Sequence, residues 1–272
     1  MSPKLSTIIS VYKNDDPEYF SEAVQSLLDQ TLLPDEILIT VDGPVGKGIE
    51  KVLNSFAEYD VINIHKLPEN VGRGKARHIA ITSAKFEYIA MMDADDISKK
   101  DRFEKQMKKI RDSDADIIGS YIEEFEKFPG DTKIIRKVPI THEQIMKFAK
   151  WKQPMNHVTI LFKRQAYLGT GGYRGFRMLE DFELFHRMIL SGMRFANIPE
   201  VLVYVRFAEE NQSKRSGMRY FKEEYQILKE MRKSGHMNSI QFMFSFLIRL
   251  ITRIMPLGIA NKFYKYILRY RD

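Results

Sequence analysis

The stretch from residue 5 to residue 43, LSTIISVYKNDDPEYFSEAVQSLLDQTLLPDEILITVDG, contains two apolar strand patterns separated by one helical pattern. Leu5–Val11 is a short, β-branched apolar run, typical of a strand that is buried on both faces. The apolar residues that follow recur at helical spacing: Phe20, Ala23, Val24, Leu27 and Leu28. Glu36–Val41 repeats the strand pattern and ends at a turn signal, Asp42-Gly43-Pro44. This order predicts a parallel β-α-β unit.

The same alternation continues as far as residue 122. Further strands are predicted at Val61–His65, Tyr88–Met92 and Ala115–Ile122, and further helices at Ile49–Phe56, Gly72–Ser83 and Lys100–Arg111. The pattern predicts an α/β fold with a Rossmann-like, mostly parallel sheet flanked by helices. Such sheets bind ligands at the C-terminal ends of their strands. The polar clusters of this chain fall at those ends: Tyr12–Asp16, Asp42, Asn70–Lys75 and Asp93–Asp96.

The second half of the chain is less regular. It predicts strands at Val158–Phe162 and Val201–Val205, a helix at Asp181–Leu190 and a loop over residues 169–172. The sequence contains no internal repeat and no linker. The simplest organisation is one compact domain, residues 1–217, followed by a C-terminal helical segment, residues 218–272.

Composition excludes several classes of protein. The chain has 272 residues, no cysteine, 43 basic and 36 acidic residues, and a net charge of +7. The absence of cysteine excludes a disulfide scaffold, a Cys-ligated zinc site, an iron–sulfur cluster and a Cys nucleophile. A charged fraction of 29% excludes a polytopic membrane protein. The first residues show no signal peptide, so we expect a cytoplasmic protein.

The C-terminal segment carries most of the positive charge. Residues 236–272 contain six Lys and Arg residues and one acid, Asp272, and many apolar side chains. The run from Ser234 to Ile248 lacks Asp, Glu, Lys and Arg over 15 residues, whereas a membrane-spanning helix needs about 20. This segment predicts an anionic partner, membrane surface or nucleic acid, with an interfacial or re-entrant helix favoured. The alternative is a helix that packs on the core and exposes its Arg and Lys residues to solvent.

The sharpest chemical feature is the sequence Asp93-Ala94-Asp95-Asp96, directly after an apolar strand. Three carboxylates in four residues repel one another unless a cation lies between them. Oxygen ligands with open positions suit Mg²⁺ or Mn²⁺, which take substrate phosphate oxygens as further ligands. The alternative is that Asp95, Asp96 or Ser98 caps the helix predicted from Lys100.

Two more segments carry candidate chemistry. The stretch from Asn70 to Arg77, NVGRGKAR, has neither the spacing of a P-loop nor that of a dinucleotide-binding loop. Its backbone amides at a helix N-terminus, with Arg73 and Lys75, suit a diphosphate, and the alternative is a tight turn with exposed basic residues. Glu180-Asp181 opens an apolar helix, where a carboxylate suits a general base or a simple helix cap.

Together these segments resemble family 2 glycosyltransferases, which have the GT-A fold. The matching pieces follow the order of the family over about residues 5–205: residues 7–12 (TIISVY), 39–43 (ITVDG), 70–72 (NVG) with 76–77 (AR), 92–96 (MDADD) and 180–184 (EDFEL). The resemblance implies a nucleotide-sugar half, about residues 1–115, and an acceptor half, about residues 116–217. It also implies an inverting, metal-dependent transfer of one hexose, from UDP-glucose or UDP-galactose, to a polyprenyl-diphosphate-linked saccharide in O-antigen or exopolysaccharide biosynthesis.

The resemblance also implies roles for individual residues. Asp181 corresponds to the catalytic base, Asp42 to the contact with the nucleotide base, Asp93 to the residue near the ribose and Asp95 to the ligand of Mn²⁺ or Mg²⁺. Other residues are expected around the nucleotide sugar, the metal or the acceptor: Tyr12, Asn70, Arg73, Lys75, Arg77, Asp96, His157, Glu180, Lys214 and Arg215. The alternative for His157 is a purely structural role. The alternative for Lys214 and Arg215 is that they belong to a solvated loop.

The chain departs from the family at two positions. Gly43 stands where a second acid is common, and His78 where Asn is common. The Q-x-x-R-W motif of processive synthases is absent, which favours addition of one sugar.

A lipid-linked acceptor gives the basic, apolar C-terminal segment a role at the inner face of the cell membrane, with no nucleic-acid partner. Two other classes remain open on the residues alone. One is a nucleotidyltransferase of sugar metabolism, and the other is a non-catalytic module that binds membrane or nucleotide.

Overall fold

The computed structural model describes residues 4–207, 217–254 and 270–271. Its strands are β1 (Leu5–Val11), β2 (Glu36–Val41), β3 (Ile62–Lys66), β4 (Tyr88–Asp93), β5 (Ile97–Ser98), β6 (Ile117–Phe125), β7 (Ile134–Arg136), β8 (Leu161–Lys163), β9 (Phe195–Arg206) and β10 (Tyr270–Arg271). Its helices are α1 (Pro17–Leu28), α2 (Lys47–Phe56), α3 (Arg73–Ser83), α4 (Arg102–Arg111), α5 (His142–Ala149), α6 (Arg164–Gly169), α7 (Glu180–Leu190), α8 (Gly217–Lys233) and α9 (Ser239–Ile254). A 3₁₀ turn covers His157–Thr159.

The first β-α-β unit forms as its sequence predicts. Every residue of β2 and nearly every residue of β1 is buried, because helices cover both faces of the sheet. Helix α1 begins after Asp16, whose side chain accepts hydrogen bonds from the backbone N–H groups of Glu18 and Tyr19. Proline at its first position and a buried stripe that includes Phe20 and Leu27 complete the amphipathic pattern.

The sheet has a parallel half and a mixed half. Strands β3, β2, β1 and β4 lie side by side and run parallel, which confirms the mostly parallel sheet predicted for this region. Strand β8 follows β4 in antiparallel orientation and separates it from β6. The long β9 runs parallel to β6 and also pairs with the short β5. The acidic residues after β4 are therefore flanked by the end of β9.

Some predicted elements differ from the structure. The strand predicted at Val158–Phe162 is divided into the 3₁₀ turn and β8, because Thr159 bonds back to the Asn156 carbonyl through both its backbone N–H and its hydroxyl. The strand predicted at Val201–Val205 is the second part of the longer β9. Helices α5 and α6 were not predicted, although α5 begins with a capping box between Thr141 and Gln144. The helix predicted from Lys100 begins at Arg102.

The core consists of two apolar layers, one on each face of the sheet, and a third cluster outside them. The third cluster joins the start of α7 to α8 and α9 through residues that include Leu179, Phe182, Ile227, Leu228 and Met231. The C-terminal helices thus pack directly on the helix that begins with Glu180-Asp181. No helix within the described ranges is long and apolar enough to cross a membrane.

A buried arginine joins the two halves of the chain. Arg102 is fully buried and donates to the carbonyls of Met91, at 2.8 Å, and Val158, at 3.1 Å, and its Nε donates to Gln106. Burial lowers the pKa of Arg102 to about 9, so the guanidinium remains charged at neutral pH. It fixes the end of β4 against the turn that carries His157.

Candidate active site

The predicted polar clusters meet at the C-terminal edge of the parallel strands. Arg77, on the buried face of α3, forms an ion pair with Asp93 at the end of β4. The same guanidinium lies 3.6 Å from Glu180 Oε1, at the start of α7. Arg73 Nε donates to that oxygen at 2.6 Å. One network of ion pairs therefore brings the start of α3, the end of β4 and the start of α7 to a single site.

Asp181 is held in place through both of its carboxylate oxygens. The side-chain amide of Gln153 donates to Oδ2 at 2.7 Å, and the backbone N–H of Phe182 donates to Oδ1 at 2.7 Å. Burial raises the pKa of Asp181, but His157, Gln153, Arg73 and the Phe182 N–H outweigh it and hold the pKa below its ordinary value. The carboxylate is thus ionised at neutral pH and able to accept a proton.

His157 lies within this site and forms a hydrogen bond with Tyr173, with Nε2 and Oη 2.6 Å apart. Burial and the nearby Arg77 lower the pKa of His157 to about 4. Because His157 is then uncharged at neutral pH, Gln153, Arg73 and the Phe182 N–H are the groups that keep Asp181 ionised there. Burial also raises the pKa of Tyr173 well above its ordinary value, so its phenol keeps its proton.

The other end of the site is crowded with carboxylates. Burial raises the pKa of Asp93, but the Arg77 guanidinium outweighs it and holds the pKa below its ordinary value. Burial and Asp93 raise the pKa of Asp95 to about 6, and burial and Asp95 raise that of Asp96 well above its ordinary value. Asp15, in the loop after β1, has a pKa raised to about 7 by burial and by Asp95 and Asp93. Burial, and after it the neighbouring carboxylates, therefore disfavours the ionised forms of Asp15, Asp95 and Asp96 beside the end of β4.

The capping alternative for this acidic segment is wrong. Helix α4 begins at Arg102 after Asp101, and the Asp101 side chain makes no capping hydrogen bond. Asp96 Oδ1 instead accepts the backbone N–H of Arg206 at 2.9 Å, and the side chain of Arg206 donates to the Asp95 carbonyl at 3.2 Å. The end of β9 therefore fixes the segment and leaves the Asp95 side chain outside any ion pair among the described residues.

A divalent cation fits this arrangement, since it would offset the repulsion among Asp15, Asp93, Asp95 and Asp96. Within the described part of the chain no three His, Asp or Glu side chains form a complete metal-binding group. Asp95 would therefore hold such an ion together with oxygens of a bound ligand, as expected for Mg²⁺ or Mn²⁺ at a phosphate site.

Asp42 binds its own neighbouring loop. Its carboxylate accepts hydrogen bonds from the backbone N–H groups of Val71, at 2.7 Å, and Gly72, at 3.1 Å, and from the Asn70 side chain at 3.1 Å. The sequence predicted that the backbone amides of this segment bind a diphosphate, but the amides of Val71 and Gly72 donate to Asp42 instead. Helix α3 begins at Arg73 with no side-chain cap, and Arg73 and Gly74 of its first turn lie beside Glu180, so the N-terminus of this helix is at the site.

The two departures from the family pattern have local packing reasons. Gly43 has φ +84°, and a Cβ atom there would lie 2.6 Å from the Asn70 backbone nitrogen, so a larger residue does not fit. His78 fills the space above Gly172, where a Cβ atom would lie 2.2 Å from its ring. Its Nδ1 is 2.9 Å from the hydroxyl of Tyr167. Both residues serve loop packing at the edge of the site.

The remaining predicted site residues do not take part in the network of ion pairs described above. Tyr12 is 37% exposed, and its backbone N–H donates to Asp15 at 2.9 Å. Lys75 is exposed on the first turn of α3. Lys214 and Arg215 lie outside the described residues. The residues that the sequence analysis missed are Asp15, Gln153, Tyr173 and Arg206, which stand in no recognised motif, although Asp15 belongs to the polar cluster noted after β1.

Comparison with known proteins shows the family of the chain. Residues 6–171 match the profile described as Glycosyl transferase family 2. The UDP-Gal:alpha-D-GlcNAc-diphosphoundecaprenol beta-1,3-galactosyltransferase of Escherichia coli is 31% identical over 269 residues, which cover 98% of each chain. The amylovoran biosynthesis glycosyltransferase AmsE of Erwinia amylovora is 31% identical over 264 residues, covering 96% of this chain and 97% of its own.

The fold of the chain also matches a solved structure. The crystal structure of S. aureus TarS 1–349 in complex with UDP-GlcNAc matches with a TM-score of 0.72 at 15% identity. The match covers 97% of this chain and 77% of that one, and it concerns the fold, which is the GT-A fold expected from the sequence. With a family profile over more than half of its residues and relatives along nearly its whole length, the chain belongs to glycosyl transferase family 2.

Proposed function

We propose that the protein is an inverting hexosyltransferase that moves one sugar from a nucleotide sugar to a polyprenyl-diphosphate-linked saccharide. The observation that carries the proposal is the meeting of Asp181 with the Asp93–Asp96 segment. The network of Arg73, Arg77 and Glu180 joins these two groups of carboxylates, which are far apart in the chain. One group suits proton abstraction and the other suits a cation with a diphosphate.

In the proposed reaction Asp181 takes the proton of an acceptor hydroxyl. The oxygen of that hydroxyl forms a bond with the anomeric carbon of the donor, and the bond from that carbon to the diphosphate oxygen breaks. The electron pair of the broken bond leaves with the nucleoside diphosphate. Attack opposite the leaving group inverts the anomeric configuration. The hydrogen bonds from Gln153 and Phe182 support this role, because they orient the carboxylate and keep it ionised.

The leaving diphosphate is proposed to lie between the first turn of α3 and Asp95. Arg73 and the free N–H groups of that turn suit its negative charge. A bound Mn²⁺ or Mg²⁺ on Asp95 would supply Lewis-acid stabilisation of the departing diphosphate. Asp93 and Asp42 are proposed to contact the nucleoside, with Asp42 also shaping the 70–72 loop. His157 and Tyr173, beside Asp181, suit the acceptor side.

The substrate classes rest on the two relatives. The E. coli relative acts, by its name, with UDP-galactose on a GlcNAc-diphosphoundecaprenol, and the Erwinia relative serves amylovoran biosynthesis. We therefore propose UDP-galactose or UDP-glucose as donor, a lipid-linked saccharide as acceptor, and a step of O-antigen or exopolysaccharide assembly. We also propose residues 1–217 as the catalytic domain, with its donor and acceptor halves, and residues 218–272 as the segment that holds it at the inner face of the membrane.

The test is an assay of purified protein with a panel of nucleotide sugars, Mn²⁺ or Mg²⁺, and a synthetic GlcNAc-diphospho-lipid. The expected result is release of nucleoside diphosphate from one donor and an acceptor heavier by one hexose. Asp181→Asn should lose about 10²- to 10⁴-fold in kcat, whereas the exposed-surface control Asp60→Asn should not change it. Absence of release from every donor, in protein shown to be folded, would refute the proposal.

A further inference from the structure

Helix α9 exposes an apolar stripe to solvent. Six large apolar side chains of this helix are between 46% and 64% exposed: Ile240, Met243, Phe244, Leu247, Ile248 and Ile251. Their spacing of three and four residues places them on one face of the helix. Soluble proteins rarely expose a continuous apolar face without a partner for it.

The opposite face of α9 fixes the rotation of the helix. Arg253 donates to both carboxylate oxygens of the buried Glu224 on α8, at 2.9 and 3.0 Å. Phe246 packs against the rings of Phe221 and Tyr225. The stripe cannot turn inward without breaking this buried ion pair and these ring contacts, so it is a fixed outer surface.

The inner face of α9 contacts the loop that leads to the candidate active site. Arg249 of α9 donates to the Trp151 carbonyl at 2.9 Å. Two residues later, Gln153 holds the carboxylate of Asp181. Trp151 is itself 39% exposed, and tryptophan is typical of the boundary between membrane and water. Helix α9 is therefore joined through residues 151–153 to the proposed catalytic base.

The charge of this region suits an anionic surface. From Met231 to Arg271 the sequence contains eight Lys and Arg residues and no Asp or Glu. Among the described residues, Arg249 and Arg253 face Glu224, whereas Arg232 and Lys233 are exposed at the end of α8, and Arg232 donates to Ser239 at the start of α9. Positive charge therefore lies beside the stripe, which disfavours a symmetric dimer through it. An anionic lipid surface instead offers acyl chains to the stripe and opposite charge to the basic residues.

We propose that the outward stripe of α9 inserts among the lipids of an anionic membrane and holds the acceptor side of the site against the headgroups. The reason for this placement rests on the proposed function, because a lipid-linked saccharide presents its sugar at that depth. Binding of lipid by the stripe is measurable without any reaction.

The experiment is flotation of the full chain with two kinds of vesicle, phosphatidylglycerol mixed with phosphatidylethanolamine, and phosphatidylcholine alone. The wild type should float with the anionic vesicles and bind the neutral ones much more weakly. Phe244→Gln/Leu247→Gln, which keeps helix-forming residues, should lower the partition coefficient at least about tenfold. The matched control, Leu33→Gln/Phe128→Gln, removes exposed apolar side chains elsewhere and should bind like the wild type.

Circular dichroism shows whether each variant is folded, and sedimentation gives its oligomeric state. Equal flotation of wild type and stripe variant would overturn the proposal, and so would absence of wild-type binding. A wild-type dimer that the stripe variant dissociates would assign the stripe to a second copy and also overturn it.

Activity separates this proposal from the proposed function. The stripe variant should keep its activity on a short-chain, water-soluble acceptor and lose it on acceptor embedded in vesicles. If wild-type protein floats as expected but transfers sugar to neither acceptor, the membrane surface stands and the proposed function fails.

Discussion

The side-chain amide of Gln153 and the carboxylate of Asp181 form a 2.7 Å hydrogen bond that links the loop after α5 to the start of α7. The Phe182 N–H occupies the other oxygen of the carboxylate at the same distance. Both donors favour the ionised carboxylate, so they lower the pKa of Asp181 against the effect of burial. A residue outside every recognised motif thus helps to keep the proposed base ionised.

Replacing Gln153 should change the pH dependence of the reaction. Gln153→Leu removes a donor to the ionised form, so the pKa of Asp181 rises and the acid limb of the kcat/KM profile moves to higher pH. The loss relative to wild type should grow as the pH falls below about 5 and approach tenfold only where the carboxyl is largely protonated in both proteins, because one pKa unit corresponds to a factor of about ten. Gln153→Asn is the conservative comparison. A loss of equal size at every pH would mean that Gln153 acts through packing alone.

Asp42→Ala should destabilise the free protein as well as weaken donor binding. Its carboxylate accepts three hydrogen bonds from residues 70–72, and removal leaves these partly buried donors unpaired. The expected loss in the free energy of unfolding is about 1–3 kcal/mol, measured by urea denaturation without nucleotide. A residue that only contacted the nucleotide base would raise the KM of the donor and leave the unfolding of the free protein unchanged.

Asp95→Asn should stabilise the metal-free protein at pH 7. A folded-state pKa of about 6, above the ordinary 3.8, means that ionised Asp95 costs stability, and this cost grows between pH 3.8 and about 6 and is complete at pH 7. The melting temperature should rise by about 2 °C. The increase in melting temperature that Mn²⁺ gives the wild type should disappear in the variant, and Asp60→Asn should retain it. A lower melting temperature of Asp95→Asn in chelator would contradict the stability cost of burying ionised Asp95 beside Asp93.

His186→Leu should reduce the sensitivity of the fold to acid. His186 is buried on α7, its ring centroid lies 5.4 Å from that of His236, and neither of its nitrogens has a hydrogen-bond partner in the described structure. Burial, His236 and Arg187 lower its pKa to about 4, and burial and Lys150 lower that of His236. The unfolded chain therefore binds a proton below pH 6.5 that the folded chain takes up only near pH 4.

In the wild type, this proton should remove about 2 kcal/mol of the free energy of unfolding between pH 7 and pH 5. Urea denaturation at the two pH values measures the difference. His186→Leu should lose less than the wild type, and His65→Gln, at a partly exposed position, should behave like the wild type. Equal losses in His186→Leu and wild type would show that this histidine does not govern the acid response.

The parallel half of the fold was predictable because the apolar periodicity of each of its strands and helices depends on residues close in sequence. The apolar runs of β1 and β2 and the helical spacing of α1 each depend on residues close in sequence, and the structure agrees with their predicted places. The antiparallel insertion of β8 between β4 and β6 was not predictable, because the apolar pattern of a strand does not determine which strands pair with it. Family membership and the GT-A fold are confirmed, while the role of each site residue stays a prediction.

The candidate site divides in the same way. Asp93, Asp95 and Asp181 stand in short motifs, so sequence alone selects them. Gln153, Tyr173 and Arg206 reach the site only through contacts between distant segments. Asp42 shows the limit of reasoning from a motif. The motif predicts only a contact with a ligand, whereas in the structure the Asp42 carboxylate accepts three hydrogen bonds from residues 70–72.

The position of β8 also has a consequence for synthesis of the protein. When β4 has left the ribosome, its edge opposite β1 stays unpaired until translation has advanced from Asp93 to beyond Lys163, since β8 is the strand that covers that edge in the described part of the chain. An apolar strand edge exposed for several seconds, at about 5–20 residues per second, is open to misassociation with other nascent chains. Slow translation through residues 94–160 would therefore lower the soluble yield, and a chain cut within that interval would lack the strand that joins β4 to β6.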